Sequence, residues 1–151
     1  RALLAEPAVP YNADAWDGYL AERNALLGRI EQLGATLVVL SGDSHNAWAS
    51  DLVSPSGARV GVEFATPSVS SRGLEERIAE APEVVAAGAK AMIASLRYAQ
   101  TANRGFAVVR FRETEVEASY HFVDSVFEDD YTAPDALVTT LRMPHGEKRI
   151  V

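Results

Sequence analysis

Two side chains that could ligate a metal ion stand two positions apart in this sequence. Asp43 and His45 follow directly after residues 36–40, an apolar run whose length suits a buried strand. In an extended backbone, side chains at positions i and i+2 project to the same side. A carboxylate and an imidazole arranged in this way suit zinc, iron or manganese, and the carboxylate oxygens also suit calcium. The spacing therefore permits a metal site, although an aspartate that caps a turn beside a half-exposed histidine would have the same sequence.

The elements that must position this pair predict a layered α/β domain. Helical periodicity leads into the apolar run, which we expect to be buried on both faces, and a hairpin with one buried face follows it. Ligands in such folds bind beyond the carboxyl ends of strands, which is where Asp43 and His45 lie. The predicted helices cover residues 13–33 and 74–96, the second divided near Pro82, and the predicted strands cover residues 36–40, 47–53, 59–65, 105–111 and 116–123.

The last part of the chain has a weaker pattern. Alternation of apolar and polar residues fades after Asp124. Residues 128–151 are therefore predicted to form an arm or a tail, with an extra strand from residue 132 onward as the other option.

Composition excludes several classes of function. The chain has 151 residues, with 14 Lys and Arg, 21 Asp and Glu, no Cys and a formal net charge of -7. This size suits one domain, or part of one, that needs no disulfide. Cysteine chemistry is excluded, an acidic surface disfavours nucleic acid, and no apolar run approaches the roughly 20 residues that span a membrane. Because the chain opens Arg-Ala-Leu without an initiator Met or a targeting segment, we expect it to begin within a longer protein.

Four stretches, in order, resemble segments of one enzyme family. The letters SGDSHNAW at residues 41–48, after the apolar LVVL, closely resemble the C-terminal metal-binding motif of PhoD-like phosphatases, which belong to the calcineurin-like metallophosphoesterases. The other three stretches are YNADAWDGY with ER at residues 11–23, VEFATPSVSS at 62–71, and NRGF at 103–106 leading into YHFVD at 120–124. The resemblance covers about residues 11–127.

The resemblance implies a fold and a set of site residues. Residues 1–151 would be the C-terminal part of a single metallophosphatase domain, a four-layer αββα sandwich of mixed sheets with flanking helices. Asp43 and His45 would be metal ligands and catalytic residues, and Asn46 and Trp48 would support them or contact the substrate. Further ligands would lie upstream of Arg1, in the N-terminal half of the same protein. The stretch around Arg104 departs from the family's pattern, and we give it no catalytic role.

The resemblance also implies an activity. Such a protein would hydrolyse phosphate monoesters or diesters with metal-activated water, would use iron and calcium, and would work in the periplasm or outside the cell. A chain of charge -7 repels phosphate unless cations reverse the local sign, so a metal-dependent site is physically consistent. The alternative is a non-catalytic α/β binding or structural module, in which residues 41–46 are only a strand-exit loop.

Overall fold

Seven strands in the described part of the chain form two sheets. The structure is a computed structural model, and it describes residues 15–151. Within residues 15–151, three short 3-10 helices accompany the main elements, at Trp16–Gly18, Leu74–Glu76 and Asp135–Leu137. The main elements are α1 (Leu20–Gln32), β1 (Leu37–Ser41), β2 (Ala47–Val53), β3 (Arg59–Ala65), α2 (Pro82–Met92), β4 (Leu96–Gln100), β5 (Gly105–Phe111), β6 (Glu115–Phe122) and β7 (Val138–Pro144).

The first sheet is mixed and the second is antiparallel. Strands in the first sheet follow the order β1-β3-β2-β4, with β1 parallel to β3 and the other pairs antiparallel. A glycine is needed where β1 meets β3, because a Cβ on Gly61 would lie 1.8 Å from the carbonyl oxygen of Leu37. The second sheet has the order β5-β6-β7. The α/β fold and both predicted hairpins are thus confirmed.

The main core lies between the two sheets. Every second residue of β6 is buried there, as the alternation predicts, against apolar residues of β2 and β3. The hydroxyl of Tyr120 donates a 2.9 Å hydrogen bond to the carbonyl oxygen of Trp48, and so ties the second sheet to β2. On the other face of the first sheet, Leu27 of α1 packs against Leu52 and Val60. The described residues therefore form a helix layer and two sheet layers.

Strand β1 has apolar contacts on both faces, as predicted, with Val38 against the core between the sheets and Leu37 and Val39 against the cluster around Leu27, but it lies at an edge of its sheet. Within residues 15–151 it pairs with β3 alone, and Leu40 is 58% exposed. Strands β3 and β2 are interior, and in β3 Val60 packs toward α1 while Val62 and Phe64 pack between the sheets. The expectation of one buried face for this hairpin is therefore wrong. An apolar run shows that a strand will be covered, but its position in the sheet depends on pairing.

The helices are shorter than predicted. Pro82 begins α2 at the first helical position, as expected, but residues 74–81 contain only a 3-10 turn. Residues 96–100, which start at the predicted end of this helix, form β4 and pair with β2, a strand that the sequence did not predict. Helix α1 begins at Leu20, and the predicted start at residue 13 lies outside the described residues. Within residues 15–151, no helix is both long and apolar enough to cross a membrane.

The chain's end is an ordered part of the fold. Strand β7 pairs along β6, so the extra-strand option is confirmed and the arm or tail is wrong for residues 138–144. Beyond it, Ile150 is buried and Lys148 donates hydrogen bonds to the carbonyl oxygens of Gly34 and Ala35 after α1. Pairing with a distant strand decides this region, which explains why local alternation failed to predict it.

Candidate active site

The loop between β1 and β2 has an unusual backbone. Asp43 and His45 both have left-handed φ angles, 65° and 64°, and the amide of Ser44 donates a 2.8 Å hydrogen bond to the carbonyl oxygen of Gly42. The assumption of an extended backbone here is therefore wrong. The left-handed conformation costs about 1–2 kcal/mol for a residue with a Cβ, and such conformations concentrate at functional sites. The two residues singled out from their spacing are thus also the two strained positions of this loop.

The imidazole of His45 is held by a backbone carbonyl. Its Nδ1 atom lies 2.5 Å from the carbonyl oxygen of Arg72, in the loop that follows β3. A carbonyl oxygen only accepts hydrogen bonds, so Nδ1 must carry the proton. In the neutral ring, Nε2 then keeps its lone pair, which is the arrangement that metal-ligating histidines usually have. His45 is half-buried, so its orientation is set by the protein rather than by solvent.

The carboxylate of Asp43 is exposed. Among residues 15–151 it forms no ion pair and no side-chain hydrogen bond, so the turn-capping interpretation of this aspartate has no support in the geometry of the loop. An exposed carboxylate that is not used by the fold fits a role as a ligand for a cation.

The side chain of Trp48 is hydrogen-bonded to the loop between β1 and β2. Its indole Nε1 donates a 3.0 Å hydrogen bond to the hydroxyl oxygen of Ser44, and that hydroxyl donates a 3.1 Å bond to the carbonyl oxygen of Asn46. Ser44 stands between the two strained residues. Trp48 can therefore support Asp43 and His45 without touching a ligand.

Asn46 is fully buried and connects the loop to a distant segment. Its Oδ1 accepts a 3.0 Å hydrogen bond from the amide of Leu74, the first residue of a 3-10 helix, and its Nδ2 lies 3.5 Å from Oε2 of Glu75. An amide side chain without solvent contact must place both its donor and its acceptor, and here it does so. Asn46 thus acts as a structural tie.

Two residues that the sequence analysis did not assign to the site complete this network. Arg104 is only 3% exposed, and its Nη2 forms an ion pair with Oε1 of Glu75. Burial disfavours the charged guanidinium and lowers the pKa of Arg104 below its ordinary value. The sequence alone assigns no catalytic role to Arg104 and does not single out Glu75. No local sequence pattern predicts a contact between an arginine that precedes a strand and a glutamate in a short 3-10 helix.

Comparison with known proteins decides the family. The family model of PhoD-like phosphatases matches residues 2–120, which include the loop and the whole network. The chain belongs to the PhoD-like phosphatase family. The resemblance seen in the sequence is thereby confirmed, and this is a family of phosphatase enzymes.

Two similar proteins give the extent of the likeness. Alkaline phosphatase D of Bacillus subtilis (strain 168) is 38% identical over 68 residues, which are 42% of this chain and 12% of that protein. A solved structure described as "Structure of PhoD" is 20% identical, with a TM-score of 0.68 over 93% of this chain and 27% of that one. The second likeness shows a PhoD-type fold. This PhoD-like chain therefore spans only a small part of the length of the proteins that it matches.

The donor atoms fit part of a metal site. Asp43 offers free carboxylate oxygens and His45 offers Nε2, a mixture that suits iron and zinc, while the carboxylate also suits calcium. Within residues 15–151, no group of three or more His, Asp or Glu side chains is placed to hold one ion. A complete ligand set would therefore need residues from outside the described part.

Three polar residues away from the loop, His121, Asp124 and Ser68, have structural partners of their own. His121 stacks on Phe106, with ring centroids 5.1 Å apart, whereas Asp124 accepts hydrogen bonds from Thr132. His121 and Asp124 therefore have different partners and do not share a site. Ser68 donates to the carbonyl oxygen of Ser71, and so belongs to the loop's own structure.

Proposed function

We propose that this chain supplies the C-terminal share of the active site of a metal-dependent phosphatase that cleaves phosphate monoesters, diesters or both. The observation that carries the proposal is the pair of left-handed residues at the carboxyl end of β1, one with a free carboxylate and one with Nε2 left as an acceptor. Membership in the PhoD-like phosphatase family supports the reaction class.

Each side chain has a separate role in this proposal. Asp43 holds cations and His45 ligates a cation or orients a phosphoryl oxygen through Nε2. Bound cations would supply positive charge for the phosphate group and would lower the pKa of a bound water to about 7. Trp48 and Asn46 keep the loop in its strained conformation. No serine or cysteine nucleophile is required.

The cations proposed are iron and calcium, and the other ligands are proposed to come from the N-terminal half of the same protein. The net charge of -7 supports a requirement for cations, because phosphate is otherwise repelled. We also propose that the protein is exported to the periplasm or the cell exterior. Detection of the complete protein only in the cytoplasm after cell fractionation would contradict export.

The decisive experiment compares two aspartate variants of the complete protein. Asp43→Asn should lower both bound metal and phosphatase turnover by about tenfold or more, because it removes a ligand charge. Asp135→Asn is the matched control, since Asp135 is an exposed aspartate before β7. Metal content is measured by elemental analysis and turnover with an aryl phosphate. Unchanged metal and turnover in Asp43→Asn would refute the proposal and favour the non-catalytic module.

A further inference from the structure

The carboxylate of Glu75 is a point where three segments of the chain meet. Its Oε1 accepts a 3.1 Å hydrogen bond from the amide of Gly73 and pairs with Nη2 of Arg104. Its Oε2 lies 3.5 Å from Nδ2 of Asn46. These contacts join the loop after β1, the loop after β3 and the start of β5.

The centre of this network has no spare room. A Cβ added to Gly73 would lie 2.6 Å from Nδ2 of Asn46, 2.6 Å from Oε2 of Glu75 and 2.8 Å from Nη2 of Arg104. The peptide at Gly73 is therefore locked by side chains on several sides. The residue immediately before it is Arg72, whose carbonyl oxygen contacts the ring of His45.

A second set of bonds fixes the other side of the same loop. The amide of Ser68 donates a 3.2 Å hydrogen bond to the backbone carbonyl of His45, and the amide of Gly105 donates a 3.0 Å bond to the carbonyl of Ser68. Gly105 is the neighbour of Arg104 at the start of β5. Both ends of the path from Arg104 to His45 are thus anchored by direct bonds.

We propose that Glu75 and Arg104 are positioning residues for His45. Their ion pair holds the peptide after Arg72 so that the Arg72 carbonyl accepts the proton of Nδ1. The neutral ring is thereby kept in the Nδ1–H form, and Nε2 is kept as the acceptor. The use made of Nε2 rests on the proposed phosphatase function, but the control of the ring does not.

A merely structural role for the ion pair predicts a different behaviour. In that case, loss of the ion pair would lower the free energy of unfolding of the whole chain but would not change which ring nitrogen of His45 carries the proton. Neutral histidine free in water prefers the opposite form, with the proton on Nε2. The form adopted by His45 therefore reports directly whether the carbonyl controls the ring.

The test uses nitrogen NMR of the 151-residue chain, labelled at its three histidines, in alkaline solution. The wild type should show His45 in the Nδ1–H form. Glu75→Gln removes the charge that Arg104 faces, and Arg104→Lys keeps a cation but loses the planar fork of donors. Each variant should change the ratio of the two forms at His45 by about threefold or more toward Nε2–H. His121 and His145 serve as internal references that should not change.

Asp51→Asn is the matched control, because Asp51 belongs to another arginine–carboxylate pair with a buried carboxylate, formed with Arg97. It should lower the unfolding temperature without altering the ring of His45. A wild-type His45 in the Nε2–H form, or an unchanged ratio in both folded Glu75→Gln and Arg104→Lys, would overturn the proposal. The phosphatase proposal is tested separately, by the metal content and turnover of Asp43→Asn in the complete protein, so the two results are distinguishable. Conversely, a complete protein without phosphatase activity would leave the positioning result intact.

Discussion

The backbone amide of Ile150 donates a 2.9 Å hydrogen bond to Oδ1 of Asp51, a residue 99 positions earlier. The other oxygen of this buried carboxylate accepts hydrogen bonds from Nε and Nη2 of Arg97, at 2.8 and 2.7 Å. One aspartate on β2 therefore holds both β4 and the end of the chain. It lies at the opposite end of β2 from the His45 loop.

Replacement of this aspartate should test how much the end of the chain contributes to stability. Asp51→Asn is expected to lower the free energy of unfolding by roughly 2 kcal/mol, because the amide cannot pair with Arg97, whose own partial exposure limits the loss. For a chain of this size, that corresponds to a fall in the midpoint of thermal unfolding of about 4–8 °C. Circular dichroism measures it. A midpoint that changes by less than about 2 °C would show that the ion pair of Asp51 and Arg97 does not stabilise the fold.

Two glycine substitutions should have opposite effects. Gly73→Ala places a methyl group against Asn46, Glu75 and Arg104, and we expect it to cost about 1–3 kcal/mol through overpacking. Gly28→Ala has nothing within 4 Å of the added Cβ and lies in α1, so it should gain roughly 0.5–1 kcal/mol. Chemical unfolding of both variants measures the difference. Equal stabilities would contradict the close packing around Gly73.

The strained aspartate should show a conflict between stability and function. Asp43→Gly relieves a left-handed φ angle, so it should raise the free energy of unfolding by up to about 1 kcal/mol. The same change removes the proposed ligand, so the complete protein should lose phosphatase turnover. Asp129→Gly is the control, because Asp129 is exposed but does not have a positive φ angle. If Asp43→Gly and Asp129→Gly lower the free energy of unfolding equally, the left-handed φ angle of Asp43 does not destabilise the fold.

The loop closed by Asp124 and Thr132 should open in acid. The side-chain hydrogen bond from Thr132, followed by its backbone bond, lowers the pKa of Asp124 below its ordinary value. Because the pKa is lower in the folded state, the ionised carboxylate stabilises the closed loop at pH values above the unfolded-state pKa, about 4. This stabilisation is lost as the pH falls through the folded-state pKa. The Thr132 amide donates a 2.8 Å bond to Oδ1, so its protection against hydrogen exchange, measured relative to an unstructured peptide at the same pH, should fall only in acid.

Asp124→Asn provides the comparison for this acid effect. The amide has no charge to lose, so protection at Thr132 should be lower than in the wild type near neutral pH and should fall less on acidification. Parallel pH profiles for the two proteins would show that the carboxylate does not close the loop.

Local patterns were enough to predict the two hairpins. In β6, the alternation of Val116, Ala118, Tyr120 and Phe122 is a property of neighbouring residues, and so is the turn after β2. Strand β4 was missed because its identity depends on pairing with β2 and on the packing of Tyr98 against Tyr120, with ring centroids 5.2 Å apart. Such long-range contacts override local preference.

The candidate site could be predicted only in part for the same reason. Spacing after an apolar strand pointed to Asp43 and His45 as candidates, and the family resemblance pointed to Asn46 and Trp48. The ion pair of Glu75 and Arg104 joins residues 29 positions apart, so no local pattern indicates it. The left-handed φ angles were also invisible, because neither residue is a glycine.

The edge position of β1 has a consequence for handling the protein. Within residues 15–151, one side of this strand presents amide and carbonyl groups that no other strand covers, beside the exposed side chain of Leu40. Such an edge can recruit a strand from another molecule. Concentrated solutions of the chain should therefore form intermolecular β-structure, and a lysine at position 40 should keep the molecules dispersed.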